Sequence, residues 1–324
     1  MRKTAPFVAT AAAAILVLSA CSASDAPEAT PTDEATGDLT PITVGVMPIV
    51  DVAAIYVGIA EGYFEDEGLD VTLELAQGGA AIVPAVVSGD YEFGFSNVTS
   101  LLLGVSNGVP IQAVSAANFS TGEEPDIAAV VVPKDSPVTS VDELAGKTVA
   151  VNTLNNIGDS TVRNVVEQNG GDPSNIKFTE MGFPDMPAAV SSNQVDGAWI
   201  LEPHLTRALN DGARVVAWNY AETDPDLMIS AYFTSDAFAA ESPETVAAFT
   251  AAMNKSLEFT DANPDITRSI LDDYTQIDES VKAAMTLPRF KTELGEKNVQ
   301  LLADLALKYG LVDSAIDVSQ LVTK

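Results

Sequence analysis

From residue 42 onward, short apolar runs alternate with longer segments in which apolar side chains recur every three or four positions. Ile42 to Val46 reads as a strand that runs into the loop Pro48-Ile49-Val50-Asp51. Ala53 to Glu61 has helical spacing, with Ile55, Tyr56 and Ile59 available to one side and Gly62 as its stop. Val71 to Leu75 predicts a second strand. Gly78-Gly79 then opens a helix over residues 80–88, in which Pro84 is compatible only with the first turn. Tyr91 to Phe95 is a third strand, and Ser96-Asn97 can cap a helix over residues 98–106. Ile111 to Ala116 closes the set, and strands alternating with helices predict a largely parallel, helix-covered sheet.

A second set repeats the pattern. Ile127 to Val132 is apolar and β-branched, Ser140-Val141-Asp142-Glu143 has the spacing of a capping box on a short helix, and Thr148 to Val151 is a strand. Asp159 to Asn169 is helical and stops at Gly170-Gly171. Ile176 to Glu180, Asp196 to Leu201 and Val215 to Ala217 are the remaining strands, separated by helices that begin near Met186 and Pro203. The two sets echo each other: Ser88-Gly89-Asp90-Tyr91-Glu92-Phe93-Gly94-Phe95 parallels Ser192-Asn193-Gln194-Val195-Asp196-Gly197-Ala198-Trp199. Two similar lobes follow, and sheets of this kind place ligands at the carboxyl ends of their strands. From Ser242 the pattern is helical, with Pro243 and Pro264 as first helical positions and Gly310 as a stop after Tyr309. Lacking strands of its own, this end is expected to return to the first lobe.

The start of the chain is different. Met1-Arg2-Lys3 is followed by an apolar stretch from Phe7 to Leu18, then by small residues and Cys21, the single cysteine of 324 residues. A basic start, an apolar core and small residues before the cut are the pattern of a secretory signal. One thiol makes no internal disulfide and no cysteine cluster. Leu18-Ser19-Ala20-Cys21 resembles the lipobox of bacterial lipoproteins, which implies acylation of Cys21 and removal of residues 1–20. Ser22 to Pro41 consists of small, polar, proline and acidic residues except for Leu39, and reads as a disordered acidic tether. The implied location is the extracytoplasmic face of the cell membrane, held by a lipid.

Sixteen basic against 46 acidic residues give a formal charge of −30, which disfavours nucleic acid as a partner. The roughly 300 residues after the leader suffice for two α/β lobes.

One run of the chain carries a family resemblance. Tyr56-Val57-Gly58-Ile59-Ala60-Glu61-Gly62-Tyr63-Phe64-Glu65-Asp66-Glu67-Gly68-Leu69-Asp70-Val71 resembles the opening of the nitrate/sulfonate/taurine and thiamine-precursor (hydroxymethylpyrimidine) group of solute-binding proteins. The likeness continues through Gly78-Gly79, Val87 to Gly94, Asn107-Gly108-Val109-Pro110, Lys134-Asp135-Ser136, Ser140 to Lys147 and Gln194 to Trp199. It implies a type II periplasmic-binding fold: two α/β lobes joined by two crossovers, with a helical C-terminal segment packed on lobe 1. In this arrangement residues 42–126 begin lobe 1, 127–222 form lobe 2 and 223–324 return to lobe 1. It also implies a monomer that captures a small solute by hinge closure and delivers it to an ABC permease.

Residues that follow strands or open helices are the candidate site: Asp51 after the first strand, Gly78 and Gly79 with bare backbone donors, and Ser96 and Asn97 after the third strand. Asn118 precedes the first crossover, Asn155 and Asn156 precede the helix opposite, and Trp199 and Glu202 follow the facing strand. Ser96, Asn97 and Asn156 have an alternative role as plain helix caps, and Trp199 as core. Asp51 and Glu202 are carboxylates at buried strand ends and require partners. These loops hold no Lys or Arg, so a simple anion such as nitrate fits poorly. An aminosulfonate zwitterion or an aminopyrimidine-like ring fits better. No cofactor, metal or catalytic residue is expected. A fold-related pyrimidine-precursor synthase depends on a first-loop histidine and a cysteine-rich iron motif, where this chain has Val50-Asp51 and no second cysteine. The only histidine, His204, stands at a helix start without a neighbouring nucleophile. A non-transport surface lipoprotein is the other alternative, against which the doubled α/β pattern argues.

Overall fold

The computed structural model describes residues 39–76 and 78–322. The leader, Cys21 and the acidic stretch up to residue 38 lie outside the described residues. The first sheet begins with β1 (Thr40–Val46), β2 (Leu69–Leu75), β3 (Phe93–Asn97) and β4 (Ile111–Phe119). Helices α1 (Ala53–Ala60), α2 (Tyr63–Asp66), α3 (Gly79–Ser88) and α4 (Val98–Ser106) connect these strands. The chain then crosses at residues 120–127 and builds a second sheet from β5 (Ala128–Val132), β6 (Thr148–Val151), β7 (Lys177–Glu180), β8 (Gly197–Leu201) and β9 (Arg214–Ala217). Helices α5 (Ile157–Gln168), α6 (Met186–Ser191), α7 (His204–Asn210) and α8 (Asn219–Thr223) belong to this part.

The return crossing ends in β10 (Met228–Ser235), which enters the first sheet between β3 and β4 and runs antiparallel to both. The two sheets have the same plan: orders β2-β1-β3-β10-β4 and β7-β6-β8-β5-β9, with the antiparallel strand fourth in each. In both lobes that strand is the one that arrives directly from a crossover. The expectation of a largely parallel sheet therefore holds except at this position. β10 was invisible to the periodicity because Ser230, Thr234 and Ser235 interrupt its apolar run without regular alternation, although all eight of its residues are buried.

Two local expectations are corrected. Pro84 is the sixth residue of α3 rather than part of its first turn, so the ring faces the carbonyl of Ala80 and that helical hydrogen bond is absent. Ser140 makes no cap: the segment after it is a single 3-10 turn, and Thr139 donates to Glu143 Oε2 from its N–H at 2.7 Å and from its hydroxyl at 3.2 Å. Helix α5 also starts two residues early, because Asn156 and Asp159 form a full capping box.

The helical end consists of α9 (Asp236–Glu241), α10 (Pro243–Ala262), α11 (Pro264–Ile270), α12 (Glu279–Ala284), α13 (Glu296–Lys308) and α14 (Ser319–Val322). Helix α10 buries Phe249, Met253 and Leu257 against α1, α2 and β4, and α14 packs on α4 and β4, as expected for a return to lobe 1. The expectation is incomplete for two helices. α13 lies against both α4 and α5, and α12 against α7, so the helical end touches both lobes. Lys308 Nζ and the Tyr309 hydroxyl meet Glu167 of α5 at 2.8 and 2.7 Å.

Candidate functional site

Between the two sheets, at the carboxyl ends of their parallel strands, lies a cavity whose empty space, its open mouth included, is about 340 Å³. Lobe 1 supplies Met47, Ile49 and Asp51 from the loop after β1, Phe95 and Asn97 from the end of β3, and Ile229 and Ser230 from β10. Lobe 2 supplies Asn152, Ile157, Phe183, Trp199, Leu201 and Tyr220. No Lys or Arg is among these residues. An apolar and aromatic wall with a few convergent polar groups is the usual composition of a small-molecule site.

Local packing fixes the aromatic wall. Trp199 meets Phe183 and Tyr220 edge to face, with centroids 5.4 and 5.8 Å apart. Its other boundary is Gly158 at the start of α5, where an added Cβ would lie 2.4 Å from the indole ring. Only glycine lets the helix approach the indole this closely. The indole Nε1 is buried and has no hydrogen-bond partner among the described residues.

The polar centre is Asp51, which is 2 % exposed. Asn118 donates from Nδ2 to Asp51 Oδ1 at 2.9 Å, and the Ser230 hydroxyl in turn donates to Asn118 Oδ1. Asp51 Oδ2 has no partner among the described residues. Burial drives the carboxyl up from 3.8 to about 7, against the lowering effect of the Asn118 hydrogen bond. Tyr232, packed edge to face on Phe95, also has a buried hydroxyl without a partner among the described residues. The site thus presents one unmet acceptor at Asp51 and one unmet donor at Trp199, set in apolar surroundings where unpaired polar groups are costly.

Of the residues expected from the sequence, Asp51, Asn97 and Trp199 line the cavity, and Asn118 holds Asp51 from behind. Asn97 caps α4 by accepting from the Ser100 N–H at 2.9 Å. Asn156 caps α5 and also exchanges hydrogen bonds of 2.9 and 3.2 Å with the Ser100 hydroxyl, joining the two lobes beside the cavity. Ser96 is buried, its hydroxyl without a partner, beneath Gly79, where an added Cβ would sit 2.2 Å from that oxygen. Gly78 faces Thr153 of the other lobe, 3.8 Å from where its own Cβ would be. Asn155 is drawn into the α5 capping box, its N–H donating to Asp159 at 2.8 Å, and does not line the cavity. The N–H groups of Asn155, Asn156 and Ile157 are all engaged locally, and the Asp159 carboxylate stands among them. That helix start is unsuited to an anion.

Glu202 requires a correction. It is buried at the end of β8 as expected, but it does not line the cavity. Its carboxylate accepts from the Thr206 N–H at 3.0 Å and hydroxyl at 2.8 Å, capping α7, and from the Thr286 N–H at 3.2 Å. His204 lies in a separate groove with Arg207 and Gln276, its pKa lowered to about 4 by burial and by Arg207. The sequence reading missed Tyr220, Phe183, Asn152 and Ser230. Tyr220 follows a strand within Trp218-Asn219-Tyr220, a signal of the same kind as the residues that were chosen, whereas Ser230 lies on the unrecognised β10.

Two α/β lobes, two crossovers and an enclosed cavity at the strand ends define the periplasmic binding protein fold. The structure superposes with a TM-score of 0.72 on the alkanesulfonate-binding protein SsuA from Xanthomonas axonopodis pv. citri bound to MOPS, at 16 % identity over 88 % of this chain and 99 % of that one. The chain belongs to the NMT1/THI5-like family, whose profile matches residues 49–267. It is similar to the formylaminopyrimidine-binding protein of Halalkalibacterium halodurans, with 26 % identity over 67 % of this chain and 64 % of that protein. It is likewise similar to the taurine-binding periplasmic protein of Escherichia coli, with 25 % identity over 63 % of this chain and 62 % of that protein. No helix among the described residues is long and apolar enough to cross a membrane.

Proposed function

We propose that this protein is the extracytoplasmic solute-binding component of an ABC importer, and that its solute is a small, polar ring or zwitterion bearing N–H donors. The observation that carries the reading is the unpartnered Asp51 Oδ2, buried in an aromatic cavity without a basic residue. An amine or amidine-like N–H satisfies that oxygen, and Phe95, Phe183, Trp199 and Tyr220 enclose a flat ring. The unmet indole N–H donates to a ring nitrogen or carbonyl of the same solute. A lone anion finds the Asp51 carboxylate and the Asp159 capping box instead, which favours an aminopyrimidine-like solute over nitrate or a simple sulfonate. The names of the relatives support both a binding rather than catalytic role and this range of solutes.

In this reading Cys21 carries the lipid and the acidic tether lets the receptor reach its permease, raising its effective concentration there. The protein acts as a monomer without cofactor or metal. A thermal-shift screen against aminopyrimidines, sulfonates, taurine and aromatic acids tests it. A solute at 100 times its Kd adds about 2.7 kcal/mol of stability. The expected hit is an amine-bearing ring whose effect is lost in Asp51→Ala; stabilisation by nitrate or sulfate alone contradicts the proposal.

A further inference from the structure

The segment after α12 reads Thr286-Leu287-Pro288-Arg289-Phe290-Lys291, and it touches each part that moves if the lobes separate. At its start the Thr286 N–H donates to Glu202 in lobe 2 at 3.2 Å. In its middle Arg289 pairs through its backbone with Phe119, the last residue of β4, at 2.8 and 3.2 Å. The Arg289 side chain donates from Nε to the Ser120 carbonyl at 2.7 Å, in the first crossover. From Nη2 it donates to the Pro225 carbonyl at 2.8 Å, in the second crossover, with Asp226 beside it at 3.3 Å. At its end the Phe290 N–H donates to Asp261 of α10, in lobe 1, at 2.9 Å. The turn before it is held by Arg268, whose Nη1 donates to the carbonyls of Lys282 and Met285 at 2.7 and 2.8 Å.

The two crossovers also meet directly, through the Ser120 N–H and the Leu227 carbonyl at 2.9 Å. Gly122 packs so closely on the Pro225 carbonyl that a Cβ there would lie 2.4 Å from the oxygen. A guanidinium suits this place because its planar fork reaches carbonyls on two separate chain segments, which a single ammonium does not.

We propose that residues 286–291 form a hinge clamp, in which Arg289 holds the two crossovers as one pivot and the Thr286–Glu202 hydrogen bond latches the lobes closed from outside the cavity. Both are positioning elements, since neither Arg289 nor Glu202 lines the cavity. Opening carries Glu202 away with lobe 2, while the segment stays with lobe 1 through Phe119 and Asp261. The latch then breaks and a hydrogen bond to a charged group is exchanged for water, so closure is favoured before any solute enters. The inference rests on the two-lobe fold and not on the identity of the solute.

The test is the interlobe distance in the full chain without added solute, read by spin labels at Glu74→Cys in lobe 1 and Asp185→Cys in lobe 2, both exposed, in a Cys21→Ser background. Thr286→Pro removes the donor, and Met285 already has the extended conformation (ψ 149°) that the residue before a proline adopts. The expected result is a rise of about threefold or more in the ratio of long to short distances. Glu202→Gln, which keeps the side-chain size and weakens the acceptor, moves the ratio the same way, and Arg289→Lys broadens the distribution. Amide exchange in β3 and β8 stays at the unmodified level if the lobes themselves are intact. Unchanged distance distributions in the folded variants overturn the clamp, whatever the cavity binds.

Discussion

Asp51 combines deep burial, a single Asn118 hydrogen bond and an open Oδ2, and its pKa of about 7 follows from the burial. Because the folded value lies above the unfolded one of 3.8, the folded protein binds more protons between the two. Stability of the solute-free protein is therefore expected to fall as pH rises from about 4 to 7, and Asp51→Asn should flatten that slope in denaturant titrations. Solute binding has the opposite sense. A donor at Oδ2 favours the ionised form, so affinity for an amine-bearing ring should rise between about pH 6 and pH 8, as calorimetry would show. Asp51 was legible because a carboxylate at a buried strand end must find a partner. The same signal misplaced Glu202, whose partners are the next helix and a distant loop. Glu202→Ala should therefore lower stability by about 1–3 kcal/mol, seen as a lower urea midpoint, by uncapping α7 and freeing the Thr286 N–H.

Among the elements, those with a clean period and a capping residue were legible: α4 spans Val98–Ser106 behind Asn97, as its sequence predicts. Elements shaped by tertiary packing were not. β10 carries Ser230, Thr234 and Ser235 in a wholly buried strand, and α3, which starts at Gly79, keeps Pro84 in its interior. The fit at that start is tight, with Ser96 Oγ 2.2 Å and Ser96 Cα 2.9 Å from an added Cβ. Gly79→Ala should destabilise by about 1–3 kcal/mol and also weaken solute binding, because it must push on Ser96, which lies between the lining residues Phe95 and Asn97. A melting curve beside a binding isotherm separates the two effects; full stability with unchanged affinity would contradict this account of α3.

For the molecule as a whole, doubled α/β alternation sufficed to show two lobes, and the residues around Tyr56 to Val71 carried the family. What the sequence withheld is how distant segments meet: Ser230 behind Asp51 through Asn118, Phe183 and Tyr220 on the edges of Trp199, and α13 across both lobes. Each depends on contacts between residues far apart in the chain. The formal charge of −30 is a property of the whole chain, whereas the cavity itself is lined by Asp51 and an aromatic wall. Calorimetric titration of an aminopyrimidine into the wild-type chain and into Asp51→Asn, at pH 8, decides whether Asp51 anchors the solute. Saturable 1:1 binding to the wild type is expected, weakened at least about tenfold in the variant. Equal affinity in the two proteins, or tight binding of nitrate with no response to the amine, would contradict that role.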